Sequence, residues 1–287
     1  MATRIERGVG DRLGPYRIEA RLGEGAVGVV FRAVREPGGT VVALKLLKQR
    51  LGDDETFRAR FVHEARAARH VEHDHLVPVL DAGEVDGTSY IVSGYIAGGS
   101  LEDRLRSEGP LELDELLRLA AEIGTGLDAL HNEGLVHRDI KPSNVMLHED
   151  GRAAITDFGL AKGPAYTVLT KPGQVMGTLD YLAPELIRGE QAAPASDIYA
   201  LGCLMYECAT GAPPFGGRSL FELGSAHINE EPPDPSELRR DLPASASWAL
   251  LRALAKNPAL RPPTATAYAS LLHVAGRGSA QAGRLAG

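Results

Sequence analysis

The chain has 287 residues, of which 44% are apolar and 24% are charged, and its formal net charge is −7. This composition is typical of a globular protein with one large or two smaller compact units, and it excludes a fibre or a long unfolded chain. The acidic balance does not favour a nucleic-acid-binding surface. The two cysteines, Cys203 and Cys208, have neither metal-ligand nor disulfide-framework spacing. No segment has the apolar length of a signal peptide or membrane helix, so we expect a cytoplasmic protein without membrane contact in this chain.

The first hundred residues consist mainly of β-branched runs broken by glycine. The predicted strands are "YRIEARLGEG", "GVVFRAV", "TVVALKLL", "LVPVLDAGEV" and "SYIVSGYI". One helix interrupts them, because acidic residues open the run "DDETFRARFVHEARAARHV" and Phe57, Phe61, Ala65 and Ala68 recur at helical spacing. This part is therefore predicted to be a small β-rich unit with one main helix.

Helical periodicity replaces the strand pattern after the glycines near residue 98. The run "LELDELLRLAAEIGTGLDALHNEG" repeats its apolar positions at three- and four-residue intervals, and proline-containing loops divide the remainder into short helices. The fold class is therefore α+β. The predicted divisions are an extension over 1–15, a small lobe over 16–94, a larger helical lobe over 95–274 and a flexible tail over 275–287.

A glycine-rich stretch, "LGEGAVGVV", places Gly23, Gly25 and Gly28 in GxGxxG spacing. Dinucleotide-binding folds use the same spacing, but there the glycines open a helix, whereas here a second strand follows. A hairpin whose tip has no side chains can place backbone N–H groups over a phosphate chain. An ordinary tight turn explains these glycines equally well when they are considered alone.

Lys45 lies in the apolar strand "VVALKLL", which we expect to be buried on both faces. An unpaired ammonium is costly there, so the lysine needs anionic partners. Glu64 in the following helix supplies one partner if that helix packs on the strand, and a triphosphate supplies another.

The stretch "HRDIKPSN" combines an acid, a lysine and an amide within one short loop. Phosphoryl transfer to a hydroxyl needs a carboxylate to accept the proton, a cation beside the transferring charge and oxygen ligands for Mg²⁺. Asp139, Lys141 and Asn144 are candidates for these three tasks. Asp157 of "TDFG" adds a second oxygen ligand suited to a small octahedral ion.

These motifs, in this order and with the later "APE", make the chain resemble a eukaryotic-type Ser/Thr protein kinase of the kind also found in bacteria. The resemblance extends from about Tyr16 to about Leu272. It implies a bilobal kinase fold with the nucleotide between the lobes, ATP and Mg²⁺ (or Mn²⁺) as cofactors, and protein substrates. Lys45 and Glu64 would form the phosphate-binding pair, with Asp139 as the catalytic base.

The resemblance also implies a set of nucleotide-binding positions. Those in the first hundred residues are Leu22, Gly23, Gly25, Gly28, Val30, Ala43, Lys45, Gly94 and Ile96, and Met146 would form the floor of the adenine pocket. Val30 and Ala43 would cover the adenine, while the backbone of Gly94 and Ile96 would bond its edge. Two positions depart from the family pattern, because Ser93 replaces a bulky residue and Gly94 an acid.

Substrate class and regulation follow from the same resemblance. Lys141 and Thr178 of "GTLDYLAPE" are typical of kinases that act on serine or threonine. Arg138 and Lys162 would form a pocket for a phosphate on the activation loop, at Thr170 or Thr167, placed there by autophosphorylation.

Structural support is implied at four further positions. Glu185 should pair with Arg261, Asp197 should brace the loop that carries Asp139, and His137 should pack beneath that loop.

The sequence also allows two rival functions. A pseudokinase scaffold should lack Lys45, Asp139 or Asp157, and a small-molecule phosphotransferase should lack the "GTLDYLAPE" segment.

The histidines of "HVEHDH" at 70–75 lie close in sequence, but a helix end with polar histidines needs no metal. The resemblance also allows a homodimer through the small lobe.

Overall fold

The structure is a computed structural model, and it describes residues 7–25, 27–48, 51, 54–158 and 179–284. The chain divides into two compact units, the first ending at Ile96 and the second beginning at Ala97. The predicted order, a β-rich part followed by a helical part, is confirmed.

Six antiparallel strands form the sheet of the first unit, in the order β1-β2-β3-β4-β6-β5. Their bounds are β1 Arg12–Leu13, β2 Tyr16–Glu24, β3 Gly28–Arg35, β4 Thr40–Leu47, β5 Val79–Val85 and β6 Thr88–Gly94. The strand β1 belongs to the segment assigned to an extension, yet it pairs with β2 and so continues the sheet.

Helix α1, Glu55–Ala68, begins where Asp54 accepts a hydrogen bond from the backbone N–H of Phe57 at 3.0 Å. This carboxylate satisfies one of the N–H groups that every helix start leaves without an intrahelical partner. The helix packs against β5 and β6. Its predicted apolar positions, from Phe57 to Ala68, are all buried.

The sheet curls, so that β2, next to one edge, approaches β5 at the other edge. The Tyr16 hydroxyl on β2 donates to the Asp81 carboxylate on β5 at 3.0 Å, and the Tyr90 hydroxyl donates to the same oxygen at 3.1 Å. Burial, followed by the hydrogen bond to Asp81, raises the pKa of Tyr16, so the phenol keeps its proton. The inner face carries the core, which includes Leu44 and Val92.

The prediction that the Lys45 strand is buried on both faces is wrong. Along β4, Leu44 and Leu46 are buried, whereas Ala43 and Lys45 are half-buried. Successive side chains of a strand point to opposite faces, and only one face of this curled sheet packs on the apolar core. The ammonium is therefore on the less buried face, where its desolvation costs less.

The second unit is mainly helical. Its helices are α2 Leu101–Glu108, α3 Leu113–Asn132, α4 Pro184–Ile187, α5 Pro194–Thr210, α6 Leu220–Asn229, α7 Pro235–Leu238, α8 Ala244–Arg252 and α9 Ala265–Arg284. A two-stranded hairpin of β7, Val145–Leu147, and β8, Ala153–Ile155, completes it. Helix α5 is the central element, because almost every residue along it is buried. Among the described residues, no helix has the length and apolarity needed to cross a bilayer.

The tail expected to be flexible from residue 275 is helical as far as Arg284. The start of α9 is held by Asp128, whose carboxylate accepts the backbone N–H groups of Ala265 at 2.9 Å and Thr266 at 3.0 Å. Farther along, the Ser245 hydroxyl donates to the carbonyl of Ala275 at 2.6 Å. The small residues of this run predicted disorder, but alanine also favours a helix. Packing against α3 and α8 stabilises the helical conformation.

Gly28 provides a test of the packing between β3 and β4. A Cβ added at Gly28 would lie 2.4 Å from the carbonyl oxygen of Leu46, whereas one added at Gly23 would meet nothing within 4 Å. We expect Gly28→Ala to lower the free energy of unfolding by about 1–3 kcal/mol, because the strands must separate to admit the methyl group. Urea unfolding measures the change, with Gly23→Ala as the matched control. Equal stabilities of the two variants would contradict the close approach.

Candidate active site

The loop between α3 and β7 is held by one buried carboxylate, Asp197, in the first turn of α5. Its two oxygens accept the backbone N–H groups of His137 and Arg138, each at 2.8 Å. The ring nitrogen Nε2 of His131 lies 2.8 Å from the same carboxylate. Asp197 is only 1% exposed, so hydrogen bonds to its charge are worth more than they are in water.

Backbone strain occurs in this loop, at Arg138, and again just after β8, at Asp157. In the part of the chain that the structure describes, the non-glycine residues with positive φ are Asp86, Arg138 and Asp157, at 50°, 67° and 62°. Asp86 belongs to an ordinary "DG" turn, but Arg138 and Asp157 flank the predicted catalytic residues. Such conformations persist only where surrounding contacts enforce them, and at Arg138 one such contact is the bond to Asp197.

His137 supports the loop from below. Its Nε2 donates to the carbonyl of Thr156 at 3.0 Å, and its Nδ1 accepts the backbone N–H of Asp139 at 3.2 Å. Burial lowers the pKa of His137, so the ring stays neutral with its proton on Nε2. A neutral ring with both nitrogens engaged positions Asp139 and does not act as an acid or base.

Asp139, Lys141 and Asn144 meet at the surface of this loop. The Lys141 ammonium lies 3.0 Å from Oδ2 of Asp139, and both side chains are about one-fifth exposed. The amide nitrogen of Asn144 donates to the backbone carbonyl of Asp139 at 2.7 Å and to its carboxylate at 3.1 Å. The structure therefore brings three of the predicted residues into direct contact at a site that a substrate can reach.

Asn144 and Asp157 lie at neighbouring ends of the β7–β8 hairpin. The backbone N–H of Thr156 donates to the carbonyl of Asn144 at 2.9 Å, and Asp157 is the next residue. The side-chain nitrogen of Asn144 donates to Asp139, so the side-chain oxygen Oδ1 is the atom of this amide that is suited to a cation. An amide oxygen and a carboxylate are ligands that a hard divalent cation prefers, so this donor set fits Mg²⁺.

The histidines near residue 73 show no metal site. Among the described residues, no group of three or more His, Cys, Asp or Glu is arranged to hold a metal ion. The Nδ1 atom of His73 instead accepts the backbone N–H of His75 at 3.1 Å.

The glycine-rich stretch forms a hairpin between β2 and β3. The backbone N–H of Gly25 donates to the carbonyl of Gly28 at 2.9 Å, and Gly23 pairs with Val30 across the two strands. A Cβ added at Gly23 or Gly25 would meet nothing within 4 Å, so the tip is open on its outer side. Leu22, on the same strand, is 46% exposed.

Three predicted nucleotide-binding side chains share one face of the sheet. Val30 pairs with Lys45, and Ala43 precedes Lys45 by two residues on β4, so all three project to the same side. Ser93 pairs with Ala43 and joins this face. Glu64 is half-buried on α1.

Gly94 ends β6 and contacts the residue before β5. Its N–H donates to the carbonyl of Pro78 at 3.0 Å, and an added Cβ would lie 3.3 Å from the Pro78 ring. Because this N–H is already engaged, the expected adenine contact at Gly94 would have to use its carbonyl. The contact with Pro78 explains why a side chain, such as the acid usual in the family, fits poorly. Ile96 follows as the last residue of the unit.

Glu185 and Arg261 form a bidentate ion pair, with N–O distances of 2.7 and 2.8 Å. The Ser196 hydroxyl also donates to Glu185, at 2.8 Å. Burial by itself would raise the pKa of Glu185, but the bonds from Arg261 and Ser196 hold it below its ordinary value. Arg261 donates further to the carbonyl of Ala195 at 2.8 Å, so its charge is fully hydrogen-bonded on this side.

Sequence reasoning missed several residues of this region. His131 and Ser196 were not identified, although both contact predicted residues. The Tyr181 hydroxyl donates to Glu207 at 2.5 Å, and burial raises the pKa of Glu207 to about 7. The sequence alone could have identified Glu207 as a buried charge. It is the only charged residue after Asp197 in the otherwise apolar sequence of α5.

Four predicted residues, Lys162, Thr167, Thr170 and Thr178, lie outside the described residues.

Asp197→Asn tests the support of the catalytic loop. The amide would place an N–H₂ group against a backbone N–H, so at least one hydrogen bond is lost. We expect the free energy of unfolding to fall by about 1–3 kcal/mol and the rate of the phosphoryl transfer expected from the sequence to fall by about tenfold or more. Asp114→Asn is the control, because Asp114 is an exposed acid in the first turn of α3. Wild-type turnover in Asp197→Asn would show that the loop keeps its geometry without this carboxylate.

Comparison with known proteins gives matches in both sequence and structure. The family model described as "Protein kinase domain" matches residues 16–270. Among curated proteins, serine/threonine-protein kinase PknE of Mycobacterium tuberculosis is 40% identical over 266 residues, which are 93% of this chain and 47% of PknE. Serine/threonine-protein kinase PknD of the same species is 38% identical, over 88% of this chain and 38% of PknD.

The fold has also been solved in a relative. The crystal structure of the M. tuberculosis PknI kinase domain superimposes with a TM-score of 0.76 at 30% identity, covering 94% of this chain and all of that domain. The chain spans less than half the length of PknE and PknD but the full length of the PknI kinase domain.

Proposed function

The chain belongs to the protein kinase domain family, and from this premise we propose that it is an ATP-dependent kinase acting on serine and threonine hydroxyls of proteins. The observation that carries the proposal is the contact of Asp139 with both Lys141 and Asn144 on a loop held by Asp197. The names of the relatives support the same activity.

In this proposal Asp139 accepts the proton of the substrate hydroxyl on its carboxylate as the oxygen attacks the γ-phosphorus of ATP. Lys141, 3.0 Å from that carboxylate, is close enough to contact the transferring phosphoryl group and offset its charge. The hydrogen bond from Asn144 and the backbone bond to His137 keep Asp139 in place without a change of geometry during the reaction.

Protein kinases use ATP with a divalent metal ion, and we propose Mg²⁺, with Mn²⁺ as an alternative. The carbonyl oxygen of Asn144 and the carboxylate of Asp157 would hold the ion. When bound, the ion offsets the negative charge of the triphosphate. The side chain of Asn144 is buried, with 6% exposed, and it donates to Asp139. These hydrogen bonds orient its amide before a ligand arrives.

Nucleotide contacts in the first unit are proposed at the open hairpin and the less buried face of the sheet. The backbone of Gly23, Gly25 and Gly28 would bond the phosphates, with Leu22 beside them, and Lys45, paired with Glu64, would bind the phosphate oxygens. Their positions support this proposal.

Adenine contacts are proposed separately. Val30 and Ala43 project from the same face as Lys45, and the carbonyl of Gly94 and the backbone of Ile96 would bond the adenine edge. In the second unit, Met146 is half-buried on β7 and would contact the base.

The presence of every charged residue that the reaction needs supports an active kinase over a pseudokinase scaffold. Lys141 and Thr178 support serine or threonine as the acceptor, and the "GTLDYLAPE" segment supports a protein substrate over a small molecule. Labelled ATP offered with the protein itself, a generic basic protein and a mixture of metabolites distinguishes the three functions.

Substitution of the charged residues tests the proposed chemistry. We expect Lys45→Met and Asp157→Asn to abolish transfer, and Asp139→Asn to lower turnover by about 10²-fold or more, while the fold is retained. Lys48→Met and Asp150→Asn are matched controls, because they remove the same charges at nearby positions. Initial rates with a peptide substrate and far-ultraviolet circular dichroism give the readouts. Unchanged turnover in Asp139→Asn would reject this residue as the base.

We further propose that the chain phosphorylates itself at Thr170 or Thr167, and that Arg138 and Lys162 bind the resulting phosphate. Mass spectrometry after incubation with ATP should find a phosphate at one of these threonines, and Thr170→Ala with Thr167→Ala should lower activity. Full activity with neither threonine modified would refute this.

A homodimer through the first unit is also proposed. If the autophosphorylation rate per molecule rises with protein concentration, this would support transfer between two copies.

A cytoplasmic location is proposed as well, because both cysteines are buried as free thiols. Free thiols are typical of reducing compartments.

A further inference from the structure

Three residues on one face of α3 lie between the start of α9 and the start of α5. Gly124, Asp128 and His131 follow each other at intervals of four and three residues, so they share one side of the helix. A Cβ added at Gly124 would lie only 3.1 Å from the carbonyl oxygen of Ala265, because the backbone of α9 approaches α3 closely at this point. The glycine therefore allows the first turn of α9 to lie beside Asp128.

Asp128 holds the start of α9 with both of its carboxylate oxygens. Oδ1 accepts the backbone N–H of Ala265 at 2.9 Å, and Oδ2 accepts the backbone N–H of Thr266 at 3.0 Å. The Thr266 hydroxyl also donates to Oδ2. The first N–H groups of a helix have no intrahelical partner, and the helix dipole favours a negative charge there. The position of the Asp128 carboxylate therefore depends on where α9 begins.

His131 lies between Asp128 and a second carboxylate, that of Asp197. Its Nε2 donates to Oδ2 of Asp197 at 2.8 Å, and its Nδ1 lies 4.0 Å from Oδ1 of Asp128, which is longer than a hydrogen bond. The side chains of His131 and Asp197 are 9% and 1% exposed. Buried charges are screened much less than exposed ones, so a movement of Asp128 changes the electrostatic energy of the ring.

The contacts continue from Asp197 to the loop that carries Asp139. The backbone N–H of His137 donates to Oδ2, the same oxygen that accepts from His131, and the N–H of Arg138 donates to Oδ1. A carboxylate that is hydrogen-bonded on both oxygens has little freedom to rotate. Loss of the bond from His131 would give Asp197 that freedom, and the two N–H groups of the loop would lose a fixed acceptor.

We propose that Asp128 and His131 couple the start of α9 to the loop that carries Asp139, with His131 as a positioning residue for phosphoryl transfer. The inference rests on the proposed kinase activity, because Asp139 is the base of that reaction. A shift of Asp128 acts on the His131 ring, and the ring passes the change to Asp197 through its hydrogen bond. The start of α9 thereby influences turnover, although it lies more than a hundred residues from Asp139 in the sequence.

General loosening of the packing is the alternative route from α9 to the loop. Helix α9 packs on both α3 and α5 through further residues. A weakened α9 would then disturb the loop wherever along the helix the contact is lost. The coupling through Asp128 predicts instead that only contacts at the start of α9 affect turnover, and only while His131 is present.

Thr266→Val and Ser245→Ala are a matched pair, because each removes one hydroxyl hydrogen bond that involves α9. Thr266 donates to Asp128 at the start, whereas Ser245 donates to the carbonyl of Ala275 farther along. In initial-rate assays with a peptide substrate, we expect Thr266→Val to lower kcat roughly threefold without a change in KM, and Ser245→Ala to keep the wild-type kcat. Equal kcat in the two variants would overturn the proposal.

A double-mutant cycle identifies the route. His131→Phe keeps a ring and removes both polar nitrogens, and we expect it to lower kcat roughly tenfold or more. Thr266→Val should have no further effect in this background, because the chain of contacts is already broken. The same threefold loss with and without His131 would exclude a route through this residue.

His131→Gln is the conservative variant of the same cycle. Its amide nitrogen replaces Nε2 as the donor to Asp197, whereas the ring nitrogen that faces Asp128 is removed. We expect kcat within roughly threefold of wild type and again no further effect of Thr266→Val. The cycle can therefore be completed even if His131→Phe does not fold. A His131→Gln variant that folds but is tenfold slower than wild type would overturn the positioning role.

Hydrogen exchange separates failure of the coupling from failure of the proposed function, because it needs neither ATP nor transfer. We expect the amides of His137 and Arg138 to exchange roughly threefold faster in Thr266→Val than in wild type, and at the wild-type rate in Ser245→Ala. This pattern in a chain that transfers no phosphate would reject the kinase activity and retain the coupling. Wild-type exchange of both amides in Thr266→Val would overturn the coupling in a chain of any activity.

Discussion

The carboxylate of Asp197 is the constraint on which the candidate active site depends. It lies buried in the first turn of α5 and accepts the N–H groups of His137 and Arg138, while His131 contacts it from α3. A buried charge is tolerated only when its oxygens are hydrogen-bonded, so the loop must follow a path that brings its N–H groups to this point. Arg138 takes up a left-handed conformation on that path. Asp139 comes next and reaches the surface beside Lys141.

The same turn of α5 supports a second part of the unit. Ser196 precedes Asp197 and donates to Glu185, which is in turn held by Arg261. Buried ion pairs add little net stability compared with apolar packing, but removing one partner typically costs about 3–5 kcal/mol. One helix start therefore anchors both the loop that carries Asp139 and the segment that carries Glu185. A substitution of Ser196 or Asp197 is expected to disturb both segments.

Tyr199 extends this arrangement one turn farther along α5. Its ring contacts Arg261 and Lys256, and its hydroxyl is hydrogen-bonded to His227 at 2.8 Å. An aromatic ring attracts cations on its face, so Tyr199 helps to hold both side chains in place. The ring thus links the Glu185–Arg261 ion pair to the loop after α8.

The sequence by itself determined the order of strands and helices and the residue types of the site, because periodicity and turn residues are local properties of the chain. Tertiary structure decided the partners, since His137 and Asp197 are 60 residues apart and Glu185 and Arg261 are 76 apart. It also decided burial, as the half-buried face of Lys45 shows, and it made a helix of the small residues that continue α9 to Arg284. Local patterns specify which side chains a chain offers, but the desolvation and pairing of each charge depend on contacts that exist only after folding.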